Sequence, residues 1–305
     1  MPGFQVVDCL GNGARSTIWR VREQTRNRYY ALKRVFKQPG DDDRYFDQAI
    51  NEFQIARHFD HPTVRKCYRL SRRRRWLQTQ ELRLLMELCE GNTCQACRPT
   101  DVGQAVAIFL KVAQGLTHIH ARGHVHADIK PNNIVVADDG TVKIIDFGQS
   151  CPIGTIKERI QGTPDFIAPE QVHRRPLDAR TDVFNFGASL YWTLTGQAIP
   201  TVLPKENNSV QLVNNLIVTP PAELNADVPP GLNRLVMDCI EFSPSRRPQR
   251  MTDITGRLDL IAHTLGRNNN DKPADQPPQE PQDIDRELDQ LFGPADPGPF
   301  EDQFD

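Results

Sequence analysis

The sequence predicts an α+β protein, with strand-like segments early in the chain and helical stretches later, up to Leu265. Three observations carry this. Residues 4 to 35 alternate in a strand-like way around a Gly-x-Gly turn. From Val102 to His120 the apolar residues Val106, Phe109, Leu110, Ala113, Leu116 and Ile119 recur at helical spacing, which reads as a core helix. After it, Ile134-Val135-Val136 and Val142-Lys143-Ile144-Ile145 are rich in β-branched residues, and Asp138-Asp139-Gly140 between them is a turn signal. With 305 residues, 38% hydrophobic and 25% charged, the chain can bury a sizeable core.

The elements follow in order. Leu10-Gly11-Asn12-Gly13-Ala14-Arg15-Ser16-Thr17-Ile18-Trp19 puts two glycines in a hairpin turn. Lacking Cβ atoms, that backbone can approach a phosphate and present its N–H groups to it, although an isolated Gly-x-Gly is more often a plain turn. Tyr30-Ala31-Leu32-Lys33 ends a strand-like segment on a lysine, and the helical run Phe46–Ala56 offers Glu52 nineteen residues later. Arg65 to Arg75 holds seven basic residues. It reads as a solvated loop between two strands, the alternative being a patch for acidic partners or nucleic acid. An apolar strand, Leu82 to Leu88, runs into Cys89-Glu90-Gly91, and helical stretches at Asn233–Phe242 and Met251–Leu265 close the ordered chain.

The chemistry concentrates between His126 and Gly148. Asp128, Lys130 and Asn133 precede the first strand of the hairpin and Asp146 follows the second, so two carboxylates, an amide and a lysine gather at its open end. Such a set suits a metal–phosphate reaction. Asp128 would accept a hydroxyl proton, Lys130 would neutralise a transferring phosphoryl group, and Asn133 with Asp146 would ligate Mg²⁺, which prefers hard oxygen ligands. The plainer reading is a surface hairpin whose acids solvate loops. The run His126-Ala127-Asp128-Ile129-Lys130-Pro131-Asn132-Asn133, followed by Asp146-Phe147-Gly148, resembles the catalytic loop and metal-binding motif of eukaryotic-like (Hanks-type) protein kinases. Lys130 two residues after Asp128 is the serine/threonine form of that pattern, and the compact chain is similar to bacterial soluble members of the family.

The resemblance covers residues 4–265 and implies a bilobal protein-kinase-like fold, with an N-lobe at about 4–89, a C-lobe at about 90–265 and ATP between them. On that basis Leu10, Gly11, Asn12, Gly13, Ile18 and Ala31 would enclose the nucleotide, Ser16 standing where the family's third glycine usually falls. Lys33 would contact the α- and β-phosphates and Glu52 would hold it. Met86 would be the gatekeeper, with the Glu87 C=O and the Cys89 N–H bonding adenine. The implied cofactors are ATP with Mg²⁺ or Mn²⁺, and the implied reaction is γ-phosphoryl transfer to a protein serine or threonine hydroxyl. A pseudokinase scaffold is the alternative; its usual signature is loss of Lys33, Asp128 or Asp146, and all three are present. Gly162-Thr163-Pro164-Asp165-Phe166 resembles a peptide-docking loop, in which Thr163 would bond Asp128 and Lys130. Asp182 would accept bonds from the catalytic-loop backbone, and Arg247 would pair with Glu170. Ala127 replaces an arginine that in many relatives anchors a phosphorylated loop, so activity is expected not to depend on phosphate at Ser150 or Thr155.

Composition bounds the rest. No apolar run of eighteen residues and no basic-then-apolar leader is present, so a soluble, cytoplasmic protein without a membrane segment is expected, and nucleic acid is not an expected partner. Seven cysteines without framework spacing read as reduced thiols. Cys89, Cys94 and Cys97 repeat a spacing seen in iron–sulfur proteins, but no fourth ligand is evident. The net charge of −2 divides unevenly: Asp271 to Asp305 carries −9 and the remainder +7. From Asn268 the chain has the composition of a disordered, acidic, proline-rich tail, within which Ile284, Leu288, Leu291 and Phe292 could line one face of a short helix.

Overall fold

The computed structural model describes residues 3–13, 15–37, 43–75, 78–200 and 218–266. Trp76, the acidic tail and its expected helix around Ile284 lie outside the described residues. Among the described residues, those up to Phe53 with Lys66–Leu88 form one compact unit, and Gln54–Arg65 with those from Cys89 to Gly266 form a second.

The first unit is a five-stranded antiparallel sheet of β1 (Phe4–Asn12), β2 (Ser16–Glu23), β3 (Tyr29–Phe36), β4 (Cys67–Arg75) and β5 (Gln78–Glu87), in the order β1-β2-β3-β5-β4. Alternation along the strands gives the sheet two apolar faces. On one, Val21, Tyr30, Leu32 and Leu85 pack with Phe4, Trp19 and Tyr68. Helix α1 (Arg44–Ala56) lays Phe46 and Ala49 against Val35 and Leu82 on the other.

The Arg65–Arg75 run departs from expectation, because most of it is not a loop. It forms β4, an edge strand with Arg69 opposite Leu85, Arg72 opposite Leu82 and Arg73 opposite Glu81. Glu81 on β5 gathers one arginine from each of three neighbouring strands, Arg34, Arg83 and Arg73. It is 3% exposed and accepts from Arg34 Nε at 2.5 Å and Arg83 Nε at 3.0 Å, with Arg73 at 3.8 Å. Burial alone would raise its pKa, but the hydrogen bonds from Arg83 and Arg34 hold it below the usual carboxylate range. An edge lined with arginine also discourages pairing with another sheet.

In the second unit, β6 (Asn92–Thr93), β8 (Ile134–Val136) and β9 (Val142–Ile144) make a small antiparallel sheet, and β7 (His124–Val125) pairs with β10 (Cys151–Pro152). The expected hairpin is present; Asp139 Oδ1 accepts from Thr141 N–H at 2.8 Å and closes its turn. Segment Gln54–Arg65 joins this unit through β9: Ile144 N–H donates to Thr63 O at 2.7 Å, and Arg65 N–H to Ile144 O at 3.1 Å.

Helix α2 (Val102–Ala121) starts where Asp101 accepts from Gln104 N–H at 2.7 Å, an N-cap. It is the one helix among the described residues long and apolar enough to cross a membrane, yet 56% of its apolar window is buried inside the protein. A single turn, α3 (Pro169–Val172), precedes α4 (Ala179–Thr195), which is capped by Asp178 and ended by left-handed Gly196, φ 74°. After α5 (Pro221–Leu224) comes α6, which spans Pro230–Cys239 rather than 233–242 because proline at its first position presets the helical φ. It crosses α4 so closely that a Cβ on Gly187 would lie 2.5 Å from Cys239 Cβ. Helix α7 (Met251–Gly266) closes the unit against α2 and α6.

Candidate active site

In the first unit, strand register decides what can meet Lys33. Ile18 stands directly opposite Lys33, and Leu84 opposite it on the other side, so the residue sits mid-sheet with its side chain on the face that α1 covers. Its Nζ lies 2.6 Å from Glu52 Oε2, and Glu52 is fully buried. A carboxylate removed from water beside an ammonium makes a strong, short, charge-assisted bond, which fixes the lysine's reach. Ala31 is opposite Met86, itself fully buried. At the β1–β2 turn, Gly11 pairs with Ile18, and Gly13 N–H donates to Ser16 O at 2.7 Å; Leu10, Asn12 and Gly13 are exposed. Glu87 is tied to the start of β4: its N–H donates to Lys66 O at 2.9 Å, and its Oε2 accepts from Lys66 N–H at 3.0 Å. Cys89 begins the second unit and is half-buried.

In the second unit the loop before β8 gathers Asp128, Lys130 and Asn133. Lys130 Nζ donates to Asp128 Oδ2 at 2.7 Å and to Thr163 Oγ1 at 2.8 Å, and Thr163 Oγ1 donates to Asp128 Oδ1 at 3.0 Å. Both bonds expected of Thr163 are therefore present. Asn133 Nδ2 donates to Asp128 O at 2.9 Å, which orients the amide. Asp146 follows β9 in the left-handed region, φ 67°, and its Oδ1 accepts from Gly148 N–H at 3.4 Å. Asparagine and aspartate tolerate that backbone better than other residues with a Cβ.

The loop is braced from α4. Asp182 is fully buried and accepts from His126 N–H at 2.8 Å, Ala127 N–H at 2.7 Å and His120 Nε2 at 2.8 Å. Ala127 between them is held at φ 61°, a left-handed conformation that costs an alanine on the order of 1–2 kcal/mol. Burial would raise the Asp182 pKa, but the hydrogen bond from His120 and the nearby charges pull it below the usual carboxylate range. A depressed carboxylate adds stability above its unfolded pKa and loses it on acidification. Relative to wild type, Asp182→Asn should therefore be most destabilised above about pH 5, with the gap closing below about pH 4. Urea midpoints across pH check this; a gap that stays constant down to pH 3 contradicts it.

A model of the protein kinase domain matches residues 4–256. The chain belongs to the protein kinase family. The chain is 25% identical over 266 residues to a protein of Clostridium acetobutylicum, and 28% over 273 residues to one of Clostridium perfringens, both named "Probable serine/threonine-protein kinase". It is 28% identical over 278 residues to serine/threonine-protein kinase PknB of Mycolicibacterium smegmatis. Each comparison covers 85% of this chain but only 40%, 38% and 42% of the respective relative, so the chain spans about two fifths of their length.

The kinase domain also uses residues that sequence reasoning missed. Gln171 is buried beside the catalytic loop: its Nε2 donates to Ala127 O at 2.7 Å, while its Oε1 accepts from Ala168 N–H at 2.9 Å and Asn185 Nδ2 at 3.0 Å. Their only sequence signal was proximity to Ala168-Pro169-Glu170 and to Asp182. The Phe147 ring packs on Phe59 and His126, with centroids 5.7 and 5.0 Å apart. Ser150, where activity is expected not to depend on phosphate, is fully buried and its Oγ donates to His126 O at 3.2 Å. Thr155 is half-buried and donates to Pro152 O at 2.7 Å. All seven cysteines are free thiols, and no cluster of three potential metal ligands of the His, Cys, Asp and Glu type occurs among the described residues.

Proposed function

We propose that this kinase domain transfers the γ-phosphoryl group of Mg-ATP to serine or threonine hydroxyls of proteins. The closed set of hydrogen bonds among Asp128, Lys130 and Thr163 carries this reading. It holds a base and a cation together beside a threonine that belongs to the segment resembling a peptide-docking loop. In the proposed reaction the acceptor oxygen bonds to the γ-phosphorus, the bond to the ADP oxygen breaks, and Asp128 takes the hydroxyl proton. Lys130 offsets the charge on the transferring group, and Lys33, fixed by Glu52, holds the nucleotide's α- and β-phosphates. Leu10, Gly11, Asn12, Gly13, Ile18, Ala31, Met86, Glu87 and Cys89 are assigned to the nucleotide. Mg²⁺ fits the donor chemistry of Asn133 and Asp146, since the Asn133 Nδ2 already bonds Asp128 and its oxygen remains the ligand atom. One carboxylate and one amide oxygen suffice for an ion that completes its shell with waters and substrate phosphates, and bound there it would neutralise phosphate charge.

Phosphatase-treated protein, incubated with Mg-ATP and a degenerate peptide library, should label serine or threonine and not tyrosine. Absence of transfer to any peptide would favour a scaffold role instead.

A further inference from the structure

Cys94 and Cys97 stand on one turn immediately after β6. Thr93 O accepts from Ala96 N–H at 3.0 Å and from Cys97 N–H at 2.9 Å, and Thr93 Oγ1 accepts from Ala96 N–H at 3.2 Å. Residues 94–97 thus wind through a single helical turn. Residues three apart on such a turn have Cα atoms about 5 Å apart by helix geometry. A disulfide requires about 4.4–6.8 Å between those atoms. The turn is anchored rather than loose: Cys94 N–H donates to Ile134 O at 2.9 Å, and Thr93 and Asn92 pair with Val135 and Val136.

The two thiols differ in what can reach them. Cys97 is exposed, whereas Cys94 is fully buried. Burial, with a smaller contribution from neighbouring Cys97, pushes the Cys94 thiol up to about 12. Cys94 is therefore shielded from oxidants in solution and has Cys97 as its nearby sulfur. Neither thiol has a part in phosphoryl transfer.

We propose that Cys94 and Cys97 form a dithiol redox site, which hydroperoxides convert to an intramolecular disulfide. The Cys97 thiolate attacks a peroxide oxygen, the O–O bond breaks, and Cys97 becomes a sulfenic acid as water or an alcohol leaves. Cys94 sulfur then attacks Cys97 sulfur, the S–S bond forms, and the displaced hydroxide leaves as water with the Cys94 proton. Two thiols lose two electrons and one peroxide gains them. A small dithiol such as dithiothreitol returns both thiols by exchange.

The test treats the full chain with hydrogen peroxide, blocks remaining thiols by alkylation under denaturing conditions, and maps the peptides by mass spectrometry without reduction. In wild type, Cys94 and Cys97 should both escape alkylation, joined in a product lighter by two hydrogens, and dithiothreitol should restore both. Cys89→Ser should keep this protection. Cys97→Ser, a change at an exposed position, should leave Cys94 fully alkylated. Buried Cys151 and Cys239 should stay alkylatable throughout, marking a chain that remains folded during oxidation. The proposal is overturned if oxidised wild type carries Cys97 as a sulfinic acid or mixed adduct with Cys94 still alkylated. It is equally overturned if Cys94 stays protected in Cys97→Ser.

Discussion

Asp146→Asn and Lys33→Met are each expected to lower phosphoryl transfer by about 10³-fold or more, as the loss of a preorganised charge does in other active sites. The two should part company on stability. Asparagine is isosteric with aspartate and equally at ease at φ 67°, so Asp146→Asn should keep the wild-type unfolding midpoint. Alanine there would confound lost charge with backbone strain. Lys33→Met, by contrast, leaves the fully buried Glu52 facing a thioether where an ammonium stood 2.6 Å away, so its midpoint should fall. Adding Glu52→Gln to Lys33→Met should recover stability and no activity. Single-turnover phosphate transfer and thermal melts on the same preparations read both quantities. Activity within tenfold of wild type in either single variant would remove that residue from the proposed machinery.

Substitution of Arg247 should cost the fold heavily. Its side chain is fully buried and all five of its N–H groups are used: two on Glu170 at 2.7 and 2.9 Å, and one each on Glu241 O, Arg180 O and Phe242 O at 2.7, 2.8 and 3.0 Å. The guanidinium also lies 4.8 Å from the centre of the Phe184 ring. Arg247→Met strands a buried carboxylate and three carbonyls, and should cost about 3–5 kcal/mol in chemical denaturation. Arg247→Lys should recover little of it, because an ammonium cannot make the planar two-pronged bond to Glu170. The double change Arg247→Met/Glu170→Leu should lose less than Arg247→Met alone, since no charge is then left unpaired. A loss below about 1 kcal/mol for Arg247→Met, the range of an exposed ion pair, would show the brace to be ornamental.

How much of this was legible in the sequence depends on how local each signal is. The Ile134–Ile145 hairpin declares itself, because its turn and both strands lie within a dozen residues. Helix α2 is equally plain from its apolar period. Strand β4 hid because Arg69 and the consecutive Arg72–Arg75 fill five of its nine positions, so no apolar alternation marks it. What makes it a strand is the ladder it forms with β5. Lys33–Glu52, Asp128–Thr163 and Asp182–Ala127 are separated by 19, 35 and 55 residues; no periodicity links them, and only the resemblance suggested them. Gln171 carried no such signal, since an amide that bonds backbone groups looks like any other glutamine until the fold is known.

The left-handed alanine at the head of the catalytic loop has a consequence for the order in which the chain folds. On its own, the segment around Ala127 has little reason to adopt φ 61°, because the extended and right-handed basins are open to alanine at lower energy. Its conformation becomes favourable only when the Asp182 carboxylate, 55 residues further along, arrives to take the Ala127 N–H. Loop closure over that distance must come first, and α4 must already be seated to hold its acid in place. The residues proposed for catalysis are therefore expected to order late, after the helices around them. A partly folded chain, however rich in secondary structure, is expected to lack this loop, so the proposed activity should be lost before the secondary structure.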